Sequence, residues 1–408
     1  VSGGSVSGGS VTVVGGGVIG LCCAHYLAAA GHRVTVVERD LVGSGASRGN
    51  AGEICPDLVE PLSAPGVIAS ALRTLHRPDA ALHIHPGVNP DLVRFLAGFA
   101  RNATRRRYAA GAAALAQLAT DTFELFDSLG VEAIRDGFLF AYGSVESASA
   151  ARRGFLGLGA PVGEVLRNLP DHEPVLAAGA RAGFVVDRQW SIDPNTFVDG
   201  LAAQLRTTGV DVIEGARVTR VEEDGERVRV HTSAGSIESD AAVLAAGVWT
   251  RELGRGLGAD LNLFPGKGYS FSVAVDKMPG RLLHLGDAHV AATPLGDRLR
   301  IAGTMEFDRD HDRFHARRID AIVRAARPYL SGVDWDGRRD EWVGPRPMTP
   351  DGLPAIGRFP GRRNVFVATG HNMLGLMLAP ATGRLVAELV DGGTAPAAFE
   401  PGRMARRY

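Results

Sequence analysis

The sequence predicts an α/β fold in which a parallel, helix-flanked sheet is interleaved with a second, antiparallel sheet. Three observations predict it. Residues 11–38 pass from an apolar strand pattern (VTVV) through a glycine cluster and a helical stretch to a second strand pattern (RVTVV). Buried-type strand patterns return far along the chain, at 240–247 (DAAVLAAG) and 364–370 (NVFVATG), so one sheet draws on three distant segments. Residues 269–304 alternate in the manner of an antiparallel sheet.

The remaining elements follow in order. A helix over about 18–30 closes at Gly31. Residues 41–66 are rich in Gly, Ser and Pro and read as a long loop, a kind of segment that is usually functional or disordered. Residues 90–130 carry helical periodicity, and 137–142 (GFLFAY) reads as a strand. Asp193 and Asn195 beside Pro194 open a helix over about 195–208. Residues 210–247 form a block of short strand patterns, and 320–327 is helical. A second Gly/Pro-rich stretch, 343–361, precedes the 364–370 strand, and a last helix spans about 374–391.

At 408 residues the chain suggests two domains. Hydrophobic residues at 45% and charged residues at 22% are ordinary for a soluble globular protein. A net charge of −1 excludes a global pull toward nucleic acid or anionic lipid. The three cysteines, Cys22, Cys23 and Cys55, show neither a disulfide framework nor metal-ligand spacing. No metal site is expected, and a reducing, cytoplasmic setting fits. No run of eighteen apolar residues predicts a spanning helix. Residues 1–10 (VSGGSVSGGS) read as a linker or tag, and the lack of an initiating Met agrees.

Gly15, Gly17 and Gly20 form G-x-G-x-x-G at the first strand-to-helix turn. The first glycine permits the tight turn, the second lets backbone approach a pyrophosphate, and the third lets helix pack on strand. Val18 and Ile19 complete that turn, and the helix N-terminus presents N–H groups to phosphate charge. Glu38 ends the second strand eighteen residues past Gly20, close to the offset of a ribose-binding carboxylate. The unit is therefore a Rossmann-like dinucleotide site. The fingerprint alone does not separate NAD from FAD. A sheet assembled from distant segments suits a large, permanently held cofactor.

Six stretches, the fingerprint among them, carry a resemblance: VVGGGVIGLCCAHYLAAAGHRVTVVE at 13–38, GASRGNAGEICP at 45–56, LAAGVW at 244–249, FPGKGYS at 264–270, GPRPMTPDGLPAIG at 344–357, and GHNMLGLMLAPATGRLVAEL at 370–389. Through them the chain resembles the glycine oxidase and D-amino acid dehydrogenase family of FAD-dependent amine oxidoreductases, over most of residues 11–395. The resemblance implies a glutathione-reductase-2-type flavoprotein. FAD would be held by the fingerprint with Glu38 and Arg39, by Ser47 with Asn50, Ala51 and Gly52, and by His371, Asn372, Leu374, Gly375 and Leu376 ahead of the last helix. Val218 would meet the adenine, and Gly247, Trp249 and Gly344 complete the set. The stretch 339–346 has no Cys and 43–52 no His, so the FAD is expected to be non-covalent. Cys55 would stand near the flavin as a small filler.

The substrate class needs a carboxylate anchor, and a planar guanidinium grips a carboxylate with two parallel hydrogen bonds. Arg346, between Pro345 and Pro347, matches the family's substrate arginine; the structural alternative is an ion pair with Asp351 or Asp340. Tyr269 would donate to the same carboxylate, or be a core aromatic. His371 and Asn372 would face the substrate, or cap a loop. The implied activity is oxidative deamination of an amino acid, of the D series, by hydride transfer from the α-carbon to flavin N5. Electrons would pass to a quinone or other acceptor. Open alternatives are an oxygen-using oxidase of glycine, sarcosine, proline-like or glyphosate-like amines, a non-catalytic flavin scaffold, and a simple NAD dehydrogenase. The basic run Arg105–Arg106–Arg107 is a solvated helix end or a peripheral dock on the inner membrane. Residues 66–100 have the character of a lid or a membrane-facing segment. The expected domains are 11–80, 150–250 and 340–408 for FAD, and 81–149 and 251–339 for substrate. The oligomeric state is not legible.

Overall fold

The computed structural model describes residues 8–69, 80–85, 89–308, 310 and 312–407. Residues 1–7 of the expected linker and parts of the expected 66–100 lid lie outside these.

A six-stranded sheet forms the nucleotide-binding half. Its order is Ala355–Arg358, Val365–Thr369, Ala241–Leu244, Ser10–Val14, Arg33–Val37 and Asp211–Ile213. All neighbours are parallel except the first pair. A parallel sheet is covered on both faces, so its strands are near-continuous apolar runs. Val11, Val13, Val14, Val243, Leu244, Val365 and Val367 are accordingly buried. The helix Val18–Ala29 crosses from the first strand to the second. It packs on the helix Gly375–Val390 so closely that a Cβ at Gly383 would sit 2.5 Å from the Cys22 carbonyl oxygen. Cys22 and Cys23 are fully buried in this core. A three-stranded meander, Val218–Asp224, Arg227–Thr232 and Gly235–Ser239, lies beside the sheet.

The second sheet has nine strands. From its edge the order is Arg339–Met348, Phe264–Val273, Arg298–Phe307, Val290–Leu295, Leu282–Leu285, Phe138–Tyr142, Ala182–Val186 and Leu166–Arg167, with Leu82–Ile84 paired to Arg298–Phe307. It is antiparallel except where Leu282–Leu285 meets Phe138–Tyr142 and where Leu82–Ile84 joins. The amphipathic helix Ala316–Ala326 covers one face, burying Ile319, Ile322 and Val323.

Two expectations are corrected. The strands Leu166–Arg167 and Ala182–Val186 and residues 340–348 pair into the antiparallel sheet, although they fall in the expected FAD-side blocks 150–250 and 340–408. A buried run such as AGFVV suits either sheet, and only pairing decides between them. The Gly/Pro-rich 343–361 stretch also contains ladder structure: Arg339–Met348 is an edge strand. Pro345 and Pro347 are tolerated there because the edge needs no N–H on its open side.

Candidate active site

A cavity of about 350 Å³ opens at the carboxyl ends of the parallel strands. That is where open α/β sheets bind ligands. Among the residues singled out from sequence, Gly15, Gly17, Val18, Ile19, Glu38, Arg39, Ser47 and Asn50 line it. So do Val218, Gly247, Trp249, Arg346, His371, Asn372, Gly375 and Leu376. Arg217, Thr219, Gly45 and Ala46 also line it and were not anticipated.

The fingerprint turn is built by close approaches. Gly15 has φ +110°, and a Cβ there would stand 2.6 Å from the Ala245 carbonyl oxygen. At Gly20 a Cβ would stand 1.9 Å from the Gly15 carbonyl oxygen, so this glycine packs helix on turn and does not line the cavity. Gly17 caps the helix without a side chain, the first turn holds no acidic residue, and the Val18 N–H donates to Ser47 Oγ at 3.0 Å. The positive end of the helix dipole therefore faces the cavity uncompensated. Glu38 accepts from the Gly16 N–H at 2.7 Å and the Asp40 N–H at 3.0 Å, which fixes its carboxylate at the cavity wall. The Arg39 guanidinium lies 3.7 Å from the Trp249 ring centroid.

Ala51, Gly52, Gly344 and Leu374 act from behind the wall. The Ala51 carbonyl accepts from Thr293 Oγ1 at 2.6 Å. Gly52, at φ +81°, has the Ile192 carbonyl oxygen 2.1 Å from where its Cβ would be. Gly344 and Gly49 both leave room for the indole of Trp342. Leu374 precedes the last helix, and its N–H donates to the His371 carbonyl.

His371 is buried, its Nε2 lies 2.9 Å from Thr382 Oγ1, and its Nδ1 has no partner among the described residues. Burial pushes its pKa down to about 3, so the ring is neutral. Asn372 spends its side chain on structure: Oδ1 accepts from the Thr349 N–H, and Nδ2 donates to Thr349 Oγ1 and the Gly370 carbonyl. Its own N–H donates to the Pro347 carbonyl at 3.1 Å. Asn372 thus ties the helix entrance to the strand that carries Arg346 and is a clamp.

Arg346 lies deep at the cavity. Its Nη1 donates to the Thr304 carbonyl at 3.1 Å. Burial pushes its pKa down to about 10, partly countered by Glu53, so it remains cationic at neutral pH. The structural alternative finds no support: Asp351 is paired with Arg403 at 2.7 Å, and among the described residues no carboxylate hydrogen-bonds to Arg346.

Tyr269 requires a correction. Arg346 stands opposite Gly266 in the ladder, and Tyr269 opposite Val343, so the two side chains leave opposite faces of the sheet. The buried Tyr269 hydroxyl donates to Glu306. Burial and that carboxylate push the phenol up. Glu306 also meets Lys267 Nζ, His85 and His315. Burial pushes the Glu306 carboxyl up, but hydrogen bonds from Tyr269, His85 and Lys267 outweigh it and hold the group well below the carboxylate range. His85, Glu306, Asp308 and His315 bring ligand atoms within 4.8 Å of one another. The Lys267 ammonium, 3.0 Å from both carboxylates, already supplies the balancing cation.

Cys55 is buried, and its thiol is pushed up by burial and by Glu53 and Asp57. It is inert filler in this state.

The cavity tests well against FAD. It offers phosphates a helix N-terminus with no acidic residue in its first turn and two arginines, Arg39 and Arg217. His371, whose buried Nδ1 has no partner among the described residues, also lines it. The comparisons with known proteins agree. A family model described as FAD dependent oxidoreductase matches residues 10–389. The chain is 33% identical over 402 residues to a D-amino acid dehydrogenase of Cereibacter sphaeroides, covering 94% of this chain and 92% of that one. It is 36% identical over 416 residues to a D-amino acid dehydrogenase of Paramagnetospirillum magneticum, covering 94% and 95%. Glycine oxidase from Geobacillus kaustophilus superposes with a TM-score of 0.72 at 25% identity, covering 97% of this chain and 98% of that one. The chain belongs to the family of FAD-dependent oxidoreductases.

Proposed function

We propose that this flavoenzyme oxidatively deaminates an amino acid, of the D series, to an imino acid that water converts to a 2-oxo acid and ammonia. The observation that carries the reading is Arg346: a deep, cationic guanidinium on the wall of the cofactor cavity, with no carboxylate of its own hydrogen-bonded to it among the described residues.

The chain's residues would work as follows. The Gly15–Gly20 turn, Glu38, Ser47 and the Asn372–Leu376 entrance would hold FAD. When bound, the flavin supplies the hydride acceptor, which is chemistry the protein itself lacks. Arg346 binds the substrate carboxylate through two parallel N–H···O bonds, and partial burial strengthens both. Its Thr304 anchor and the Asn372 clamp hold the guanidinium still, so the carboxylate end of the substrate is fixed in space. Orientation of this kind lowers the barrier without any group acting on the reacting carbon, and it selects one enantiomer. No side chain is assigned as general base, because an amine that arrives neutral needs none.

The electron acceptor is proposed to be a quinone or another non-oxygen acceptor, in line with the name of the dehydrogenase relatives. No helix among the described residues is long and apolar enough to cross a membrane. Arg105 and Arg106 are exposed at the positive end of their own helix, where cations do not serve helix stability. They would supply a peripheral contact with anionic lipid. A second reading, an oxidase of glycine or a secondary amine, is favoured by the likeness to glycine oxidase.

The test is anaerobic bleaching of the bound flavin by a panel of D- and L-amino acids, glycine, sarcosine and proline. Bleaching by D-amino acids that disappears in Arg346→Ala supports the main reading. Reoxidation on admitting air separates oxidase from dehydrogenase. A yellow protein bleached by none of them overturns the amino-acid reading.

A further inference from the structure

The face of the antiparallel sheet that looks toward the cofactor half carries a row of residues set by register. Phe140 stands opposite His284, His284 opposite Ala291, Ala291 opposite Ala302, and Ala302 opposite Ser270. Residues opposite one another in a ladder share a face, so all five point the same way. Three side chains on this face bind the backbone of the early loop: Ser270 Oγ donates to the Gly49 carbonyl, Arg300 Nη1 to that of Arg48, and Thr293 Oγ1 to that of Ala51. The loop continues into Glu53, whose Oε2 meets His284 Nε2 at 3.3 Å. The His284 ring stacks on Phe140 with centroids 4.4 Å apart and is thereby oriented.

Arg346 belongs to the same face, two ladder positions from Gly268. Its guanidinium hangs from the Thr304 carbonyl on the strand that carries Ala302. The strand of His284, against which Glu53 sits, is four strands from that of Arg346 but only two from that of Thr304, where the guanidinium is anchored, on the order of 10 Å at the strand spacing of a sheet. Between the two poles the ladder places the small residues Ala291 and Ala302 side by side. Glu53 and Arg346 act on each other through space, and no hydrogen bond joins them among the described residues. Burial raises the Glu53 carboxyl, but His284 and Arg346 outweigh it and keep the group ionised. The Glu53 and His284 side chains stay 28% and 22% exposed, so the pair is not sealed off from a ligand.

A carboxylate that faces a substrate arginine across a small-residue floor has a clear consequence. An α-ammonium is bonded next to the carboxylate that Arg346 holds, so it stays at the Arg346 end. The Glu53 end is reached by the side chain. We propose that Glu53, oriented by His284, recognises a cationic group on the substrate side chain, so that basic amino acids are preferred over neutral ones of equal length. This rests on the amino-acid reading of Arg346.

The test uses two carboxylates that carry no α-amine, pentanoate and 5-aminopentanoate, titrated calorimetrically into the flavin-loaded protein and into Glu53→Gln. In the wild type 5-aminopentanoate is expected to bind ~10-fold more tightly than pentanoate, about 1.4 kcal/mol. The preference disappears in Glu53→Gln, while pentanoate binds as before. Equal binding of both probes by the wild type overturns the proposal and leaves Arg346 as the anchor. A preference that survives in Glu53→Gln also overturns it. Failure of both probes to bind overturns it together with the assignment of Arg346. The wild-type comparison needs no variant, so it stands even where Glu53→Gln does not fold.

Discussion

The guanidinium of Arg346 fills the space above Gly268: a Cβ at Gly268 would stand 2.2 Å from Arg346 Cζ. Among the described residues nothing else explains why the second residue of KGYS lacks a side chain, since Gly268 does not take a left-handed φ. Gly268→Ala is therefore expected to push the guanidinium off its Thr304 anchor while the ladder stays intact. A displaced charge-assisted pair loses about 1.5–3 kcal/mol, or roughly 10–100-fold in affinity for the substrate carboxylate. Steady-state kinetics should show the loss in kcat/KM, with an unchanged flavin spectrum. A variant with wild-type kinetics would show that Arg346 does not work from this position.

Tyr269 predicts the opposite outcome. Its hydroxyl belongs to Glu306 on the far face of the same strand. Tyr269→Phe removes one donor from a buried carboxylate that keeps Lys267, His85 and His315. Stability should fall by about 1–2 kcal/mol, read from urea unfolding, and KM for the amino acid should change by less than roughly 3-fold. A large KM effect at unchanged stability would place the phenol at the substrate after all.

These two residues also show what the sequence made legible. The parallel sheet could be read from three apolar runs because a buried parallel strand needs no partner pattern to be recognised. That Gly15, Gly17 and Glu38 share one cavity wall was legible from spacing, since a glycine turn and a carboxylate at its offset are local chemistry. The face of Tyr269 was within reach too: in FPGKGYS and GPRPM the period of two puts tyrosine and arginine on opposite sides once the two strands are paired. The pairing is what sequence lacks, because KGYS and RPM lie far apart along the chain. The same gap left the strands Leu166–Arg167 and Ala182–Val186 inside the expected FAD-side block 150–250. Glu53 gave no signal at all. A single glutamate in a glycine-rich loop acquires meaning only when His284, far along the chain, is folded beneath it.

Gly20 ties the fingerprint helix to its own turn, with the Gly15 carbonyl oxygen 1.9 Å from a would-be Cβ. The clash is with backbone and cannot be relieved by a rotamer, so Gly20→Ala must move the helix N-terminus. The positive end of the helix dipole and its free N–H groups then no longer converge on the pyrophosphate position. The variant is expected to purify with little flavin, measured as the ratio of flavin to protein absorbance, although the core around Leu21 and Leu27 still folds. Full flavin content in this variant would show that phosphate binding does not depend on the helix position.

His371 sets a pH window for stability. Its ring is neutral when folded because burial lowers its pKa to about 3, against an ordinary value near 6.5 in the unfolded chain. Below about pH 6.5 the unfolded state binds a proton that the folded state does not, so stability from this site is complete above that pH. It is lost as pH falls from about 6.5 toward 3, at up to about 1.4 kcal/mol per unit. His371→Gln removes the titrating ring while an amide can still reach Thr382 Oγ1. The melting temperature of the wild type should therefore exceed that of His371→Gln by most near pH 7, and the gap should narrow steadily toward pH 4. A gap independent of pH would mean that His371 takes up its proton as readily in the fold as in the unfolded chain, contrary to its burial.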